Sequence, residues 1–225
     1  MYFLVDKQRN VIFGWSAKCG CSHIKNLFNY LTNISTNIIH HTGSYQSLPF
    51  LIQKYTLIIF SRNPFKRLVS GFLDRYKSNG NLRHKWKYNK ITFEMFVNEL
   101  IKNNYNMIER HHFTPQTSEK FNINKIYSCK SIKFFDIENI DYGFIEKLYN
   151  KKITDQVKSF RGDHLRSENI KNNEPINDYV YNLDMEKYIN HKVDYKYFYN
   201  RELKQKVFYF YKNDFIFFKM FNYNI

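Results

Sequence analysis

One stretch of the sequence, residues 11–31 (VIFGWSAKCGCSHIKNLFNYL), constrains the fold more than any other. It opens with an apolar run of strand length, which small residues around a single lysine, Lys18, then follow. Apolar residues come next at the i, i+3, i+4, i+7 spacing of an amphipathic helix: Ile24, Leu27, Phe28 and Leu31. This is the layout of a phosphate cradle, because loop N–H groups and the helix dipole converge there on an anion. The stretch therefore predicts an anion site, and the alternative is an ordinary β–α turn that carries a lysine.

The loop is P-loop-like, but its spacing is not that of the nucleoside-triphosphatase loop. That loop has Gly, four residues, Gly and then Lys-Ser/Thr, whereas here Lys18 precedes Gly20. No obvious magnesium-binding carboxylates accompany it. These two departures argue against a P-loop-like nucleotide kinase, which is kept only as an alternative function. A non-catalytic module that binds nucleotides or polyanions is a second alternative.

A second strand–loop–helix unit follows at residues 55–76. Residues 55–60 (YTLIIF) form a continuous apolar run of strand length, and Pro64 suits the first turn of a helix, where its missing N–H costs nothing. Arg62 is thus expected at the carboxyl end of a strand, and Ser70 about two turns into the helix. Because α/β folds bind ligands at the carboxyl ends of their strands, the two units predict two separate phosphates on one ligand.

The two units resemble motifs of the sulfotransferases that use 3′-phosphoadenosine 5′-phosphosulfate (PAPS), in particular the Golgi carbohydrate branch, sulfotransferase family 2. The 5′-phosphosulfate loop of that branch reads roughly Pro-Lys-x-Gly-Cys-Thr, where this chain has AKCGCS at 17–22. Its 3′-phosphate motif reads roughly Arg-Asp-Pro-x-x-Arg-Leu-x-Ser-x-Tyr/Phe, where this chain has RNPFKRLVSGF at 62–72. HFTPQ at 112–116 and the closing residues 203–218 also look similar, so the resemblance spans nearly the whole chain. The chain departs from these two motifs at Ala17, Ser22 and Asn63, where they have Pro, Thr and Asp.

This resemblance implies transfer of a sulfuryl group from PAPS to a hydroxyl acceptor, a carbohydrate in that branch, without a metal. Lys18 would be the catalytic cation, because charge builds on the bridging oxygen as sulfur is transferred. Arg62 and Ser70 would bind the 3′-phosphate. The phosphosulfate would lie on the loop and first helical turn, formed by Lys18, Cys19, Gly20, Cys21, Ser22 and His23. The alternatives without a ligand are that Lys18 is simply solvated, that Arg62 caps a strand end and that Ser70 is buried on a helix.

The acceptor hydroxyl needs a general base whose pKa lies near neutrality, and histidine fits best. His40 and His41 end a predicted strand between the two motifs, where related enzymes carry a catalytic histidine or carboxylate. Side chains alternate along a strand, so at most one of the two faces the site, and either could be that one. The remaining candidates are His111, His112, Glu109 and Asp74.

Composition bounds the domain count and the partners. With 225 residues, seven Gly and four Pro, the chain is expected to form a single sulfotransferase domain over residues 1–225. The predicted fold is α/β, with a central, mostly parallel β-sheet flanked by helices. A net charge of +15 favours anionic partners: the nucleotide sulfate donor, and a hydroxyl-bearing glycan that could itself be anionic. Nucleic acid is disfavoured, because no zinc-finger spacing, basic zipper or aromatic RNA-binding signature is present.

Three cysteines cannot form a disulfide framework. The apolar run at the N-terminus is too short for a signal peptide or a membrane anchor. The expected protein is therefore soluble or cytoplasmic, with a catalytic domain cut from a longer Golgi-type enzyme as the alternative.

Local patterns predict the remaining elements. They are a hairpin over residues 2–15, strands at 37–41, 125–128 and 132–135, helices capped by Thr92 and Asp141, a loop over 103–120, and a closing helix through Leu203 and Val207.

Overall fold

The computed structural model describes residues 1–34, 48–77, 80, 82–86, 88–103, 110–117, 123–160 and 172–220. The strands are β1 (Tyr2–Asp6), β2 (Val11–Trp15), β3 (Thr56–Ser61), β4 (Ser131–Asp136), β5 (Asn172–Ile176) and β6 (His191–Val193). The helices are α1 (Cys21–Thr32), α2 (Pro64–Tyr76), α3 (Phe93–Lys102), α4 (Arg110–Phe113), α5 (Ile123–Tyr127), α6 (Tyr142–Tyr149), α7 (Arg201–Phe210) and α8 (Lys212–Phe217).

The chain is arranged in two compact units, which are different from the two strand–loop–helix units predicted from the sequence. The first unit comprises Met1–Arg62 and Gln116–Asp163, and the second comprises Asn63–Pro115 and His164–Ile225. The chain thus passes from one unit to the other between residues 62 and 63, 115 and 116, and 163 and 164. Neither unit is a continuous segment.

The first unit contains a four-stranded sheet in the order β1-β2-β3-β4. β1 and β2 form the predicted antiparallel hairpin, and its turn is stabilised by the buried Asp6, which accepts from the N–H groups of Gln8 and Arg9. β2 pairs with β3 and β3 with β4 in parallel. The structure therefore confirms an α/β fold with a central, mostly parallel sheet flanked by helices.

Helix α1 forms where the apolar spacing predicted it. Its four apolar positions, Ile24, Leu27, Phe28 and Leu31, are all buried. They share one core cluster with Phe13 of β2 and Ile58 of β3, and the Phe13 and Phe28 rings meet edge to face at 5.5 Å between centroids. Burial of such side chains stabilises the fold by about 1.5–3 kcal/mol each, so this face fixes α1 against the sheet.

The second unit is a helical core rich in aromatic rings. Phe72 of α2 packs against Phe93 and Phe96 of α3 with ring centroids 5.3 and 5.1 Å apart. Thr92 caps α3 as predicted, because its hydroxyl accepts from the Met95 N–H at 3.1 Å. The closing helices α7 and α8 bury Leu203, Val207 and Phe215 in this core.

Two buried tyrosines fix helices of the second unit through their hydroxyl groups. Tyr199 donates to the Phe65 carbonyl at 2.9 Å, and Tyr211 donates to the Phe113 carbonyl at 2.6 Å. Burial raises the pKa of Tyr199, so its hydroxyl remains a protonated donor.

At two described segments the structure contradicts an element that the sequence predicted. The strand predicted at 125–128 is wrong, since residues 123–127 form α5, in which Ile126 is the buried residue. So short an apolar run does not separate a strand from one helical turn. The loop predicted at 103–120 contains the helical turn α4. The strand predicted at 37–41 lies outside the described residues, and among the described helices none is long and apolar enough to span a membrane.

Candidate functional site

The loop between β2 and α1 has an unusual backbone. Lys18 and Gly20 adopt φ angles of 66° and 72°, in the left-handed region. A Cβ on Gly20 would lie 2.6 Å from the Ile137 side chain, so this position needs glycine both for its conformation and for space. Lys18 has no such freedom, and holding a non-glycine residue there costs about 1 kcal/mol or more. Strain of this kind is typical of functional loops.

The N-terminus of α1 suits an anion. Gly20 is the N-cap residue and provides no side-chain cap, and the first turn carries no acidic residue. The N–H groups of a first helical turn lack intrahelical acceptors, and the helix dipole places partial positive charge beside them. The loop therefore ends at a helix terminus that no carboxylate of its own first turn neutralises.

The side chains of the predicted loop residues point in different directions. Cys19 is buried and Cys21 is half-buried, with its thiol 3.7 Å from the Ser16 carbonyl. The His23 ring contacts Tyr142, with Nε2 2.8 Å from the hydroxyl oxygen.

Arg62 follows β3 directly, as the sequence predicted, and its guanidinium spans neighbouring strand ends. Nη1 lies 3.4 Å from the Lys18 carbonyl oxygen, and Nη2 lies 3.5 Å from Oε1 of Glu138. The Arg62 Nε atom is buried and has no hydrogen-bond partner among the described residues. Both side chains of the ion pair are partly exposed, so the pair contributes little stability. Exchanging the carboxylate for another anion would cost little, and the residues present fit a phosphate.

Sequence reasoning missed the part of Gln116 in this site. Its side chain is 1% exposed. Oε1 accepts from the Arg62 N–H and from the Cys19 thiol, each at 3.0 Å, and Nε2 donates to the Arg62 carbonyl at 2.9 Å. Gln116 thus links the loop to the end of β3. The signal that could have found it is the HFTPQ element, whose glutamine is this residue.

The turn after β4 also contributes residues to the candidate site, beside the loop after β2 and Arg62 after β3. Sequence reasoning missed this turn as well. Asp136 ends β4 and its carboxylate accepts from the Glu138 N–H at 2.9 Å. This turn presents Glu138 to Arg62 and Ile137 to Gly20. The signal was available, because the carboxyl end of a third parallel strand belongs to the same edge of the sheet.

Ser70 belongs to the second unit, in helix α2, where it is half-buried about two turns from the start. Pro64 is at the start of α2 as predicted, and Asn63 caps the helix by accepting from the N–H groups of Phe65 and Lys66 at 2.8 and 3.3 Å. One oxygen suffices for this cap, so asparagine replaces the family's aspartate there without loss of the capping bonds. Arg67 is buried and donates to the Thr114 carbonyl at 2.9 Å.

The structure therefore brings together Arg62 and the predicted loop residues Lys18, Cys19, Gly20, Cys21, Ser22 and His23 in the first unit. The preferred base candidates, His40 and His41, lie outside the described residues, as does Glu109.

His112, the second candidate base, is described within the second unit. It is buried, and its Nε2 contacts the guanidinium of Arg75. A guanidinium only donates hydrogen bonds, so Nε2 must accept and the ring carries its proton on Nδ1. Asp74 in turn contacts Arg75 and Lys77 at 3.5 and 3.4 Å. These contacts are typical of a structural histidine and a structural carboxylate.

The sheet and its flanking helices define an α/β protein in which a strand–loop–helix unit leads into an uncapped helix N-terminus. A family model described as the sulfotransferase family matches residues 1–224. The chain therefore belongs to the sulfotransferase family, whose activity is sulfuryl transfer from a sulfate donor to a hydroxyl acceptor. No curated protein and no solved structure matches the chain. The resemblance found in the sequence motifs is confirmed at the level of the family.

Proposed function

We propose that the protein is a PAPS-dependent sulfotransferase whose acceptor is a hydroxyl group of a carbohydrate. The observation that carries the proposal is the meeting of two features in the first unit. The left-handed Lys18–Gly20 loop ends at a helix N-terminus without a side-chain cap. Beside it, Arg62 reaches the Lys18 carbonyl while its buried Nε has no partner among the described residues. Both features suit phosphate groups.

The donor would be bound through its two phosphates. The 5′-phosphosulfate would lie on the loop and the first turn of α1, formed by Lys18, Cys19, Gly20, Cys21, Ser22 and His23. The 3′-phosphate would be bound by the guanidinium of Arg62 and the hydroxyl of Ser70. Hydrogen bonds between a guanidinium and a phosphate are charge-assisted, so each is about twice as strong as a neutral one.

The transfer itself needs one new S–O bond and the loss of another. The acceptor oxygen attacks sulfur, the bond from sulfur to the bridging 5′-phosphate oxygen breaks, and adenosine 3′,5′-bisphosphate leaves. Lys18 would stabilise the negative charge that grows on this oxygen. The acceptor proton would pass to a histidine, His40 or His41, acting as general base.

We also propose that residues 1–225 act as one sulfotransferase domain. The chain passes between its two units at three places, and the family match runs through both units. Neither unit would carry the activity alone.

The decisive experiment offers the protein two radiolabelled donors and a glycan array. One donor is PAPS labelled in its sulfur, and the other is ATP labelled in its γ-phosphate. We expect label on one class of glycan from PAPS and none from ATP. Transfer from ATP would support the kinase alternative instead. Tight binding of adenosine 3′,5′-bisphosphate without transfer to any acceptor would support a non-catalytic binding module.

A further inference from the structure

The backbone of Arg62 lies where strand pairing ends. Ser61 is the last residue of β3, and its carbonyl accepts from the Ile137 N–H on the β4 side at 2.9 Å. Successive residues of a strand direct their N–H and C=O groups to opposite sides, so those of Arg62 point toward the β2 side. There, β2 pairs with β3 only as far as Trp15 opposite Phe60. Beyond that point a buried backbone needs another partner.

The Gln116 carboxamide occupies this place. It bonds both to the N–H and to the C=O of Arg62, as a residue of a neighbouring strand would. Its oxygen accepts a further bond from the Cys19 thiol, so both of its lone pairs are used. Because the side chain is buried, these bonds are kept out of bulk water and hold the loop and the end of β3 at one separation.

We propose that Gln116 is a positioning residue, which fixes the separation of the loop and Arg62 so that both phosphates of one donor are bound together. This inference rests on the proposed function, since it takes the loop and Arg62 as ligands of different phosphates. A bisphosphate gains affinity from two sites already set at the right spacing. AMP, which has the 5′-phosphate alone, gains from one. If the distance between the loop and Arg62 is no longer fixed, the affinity for the bisphosphate therefore falls far more than the affinity for AMP.

The first test is the variant Gln116→Met, which keeps the length of the side chain and removes its hydrogen bonds to Arg62 and Cys19. Dissociation constants of adenosine 3′,5′-bisphosphate and of AMP are measured by titration calorimetry on the full chain. We expect the preference for the bisphosphate to fall about tenfold, the effect of losing roughly 1.4 kcal/mol. The affinity for AMP changes by much less.

A matched pair at the other end of the contact keeps the test independent of how Gln116→Met folds. Cys19→Ala removes the donor to Gln116, whereas Cys19→Ser retains a hydroxyl in its place. We expect the alanine variant to lower the bisphosphate preference about threefold, in line with the loss of one hydrogen bond. We expect the serine variant to lose less of the preference than the alanine variant does.

A control separates positioning from a general loss of stability. Tyr211→Phe removes a buried hydrogen bond to the Phe113 carbonyl within the second unit, whereas the loop and Arg62 belong to the first unit. We expect it to lower the melting temperature and to leave the bisphosphate preference unchanged. An equal fall of the preference in this control would overturn the positioning role.

The role is also overturned if Gln116→Met and Cys19→Ala keep the preference of the unmodified protein. That result leaves the two-phosphate donor site standing. If the unmodified protein itself shows no preference for the bisphosphate over AMP, the donor site proposed above is wrong and the positioning role is wrong with it.

Discussion

At the scale of single residues, backbone conformation distinguishes the candidate site as much as side-chain chemistry does. Lys18 holds a left-handed φ angle although it has a Cβ. The loop around it is held in place, since the Cys19 N–H donates to the Ser16 carbonyl at 3.1 Å and the Cys19 thiol to Gln116. A strained residue persists only where its surroundings determine it, which favours a working role for this lysine over a solvated one.

Replacing Lys18 should separate chemistry from binding. In Lys18→Ala we expect turnover with PAPS to fall about a hundredfold or more, because the charge that the lysine meets grows only in the transition state. The affinity for adenosine 3′,5′-bisphosphate should fall by less than about tenfold. Steady-state kinetics and calorimetry measure the two effects. Lys54→Ala, an exposed lysine of the same unit, controls for the loss of one charge. An unchanged turnover number would show that Lys18 is not a catalytic group.

The two histidines at 40 and 41 should behave very differently from each other. We expect one of His40→Ala and His41→Ala to lose about 10²–10⁴-fold in turnover, the usual size of a general-base contribution, and the other to stay active. Bisphosphate binding should survive in both. In the unmodified protein the rate should rise with pH between about 6 and 7.5, as the histidine loses its proton. If both variants keep full activity, the base is another residue, and His112→Ala then tests the later pair.

At the scale of elements, the sequence predicted the segments with a clear apolar pattern. Helix α1 has four apolar positions at helical spacing, β3 is a continuous apolar run of strand length, and β4 was also predicted. Helix α5 was missed because its segment is five residues long and buries Ile126 alone. Capping was predictable where the side chain is short and precedes an apolar face, as Thr92 and Asp141 show, since each accepts from the N–H three residues later.

One carboxylate of α6 bonds to the start of the 3-10 helix Thr154–Phe160, which makes the stability of this region depend on pH. Glu146 accepts from the Thr154 hydroxyl and from the N–H groups of Ile153 and Thr154, and these bonds lower its pKa. At pH values above the pKa of a glutamate in the unfolded chain, about 4.3, a carboxyl group with a lowered pKa stabilises the folded state. This stabilisation is lost as the pH falls through the pKa of the group in the folded state.

The variant Glu146→Gln tests this linkage. We expect it to melt at a lower temperature than the unmodified protein near neutral pH, and the difference to shrink as the pH falls below about 4. Thermal melts across that range provide the measurement. Glu202→Gln, an exposed carboxylate that pairs with Lys206 on α7, controls for the loss of one charge. A difference that stays constant with pH would contradict the linkage.

At the scale of the whole molecule, the site combines what local motifs reveal with what only the fold brings together. The positions of Lys18 and Arg62 after β2 and β3 could be predicted, since each follows an apolar run of strand length. The contacts of Gln116 and Glu138 with Arg62 are not part of either strand–loop–helix pattern, because these residues lie 54 and 76 positions away along the chain. No local pattern encodes such a pairing; it follows from the order of the strands and the path of the chain between the units.

A donor that binds only the folded chain should stabilise all of it by mass action. We expect adenosine 3′,5′-bisphosphate to raise the melting temperature more than AMP does at equal concentration. Arg62→Ala should shrink this difference, since a lost charge-assisted contact costs about 1.5–3 kcal/mol. Arg83→Ala, which removes a surface pair with Glu186, is the control. Equal shifts from the two nucleotides would exclude a site for two phosphates.

The register of the sheet also has a consequence for synthesis of the protein. Thr56 of β3 lies opposite Ser131 of β4, 75 residues later in the chain. At a ribosomal rate of about 5–20 residues per second, one edge of β3 therefore remains unpaired for roughly 4–15 s, until β4 has been synthesised. During that interval the apolar run YTLIIF is an open edge on which nascent chains can pair with one another. Slower initiation and lower temperature during expression should therefore raise the yield of folded protein, because they keep such edges apart while β4 is being made.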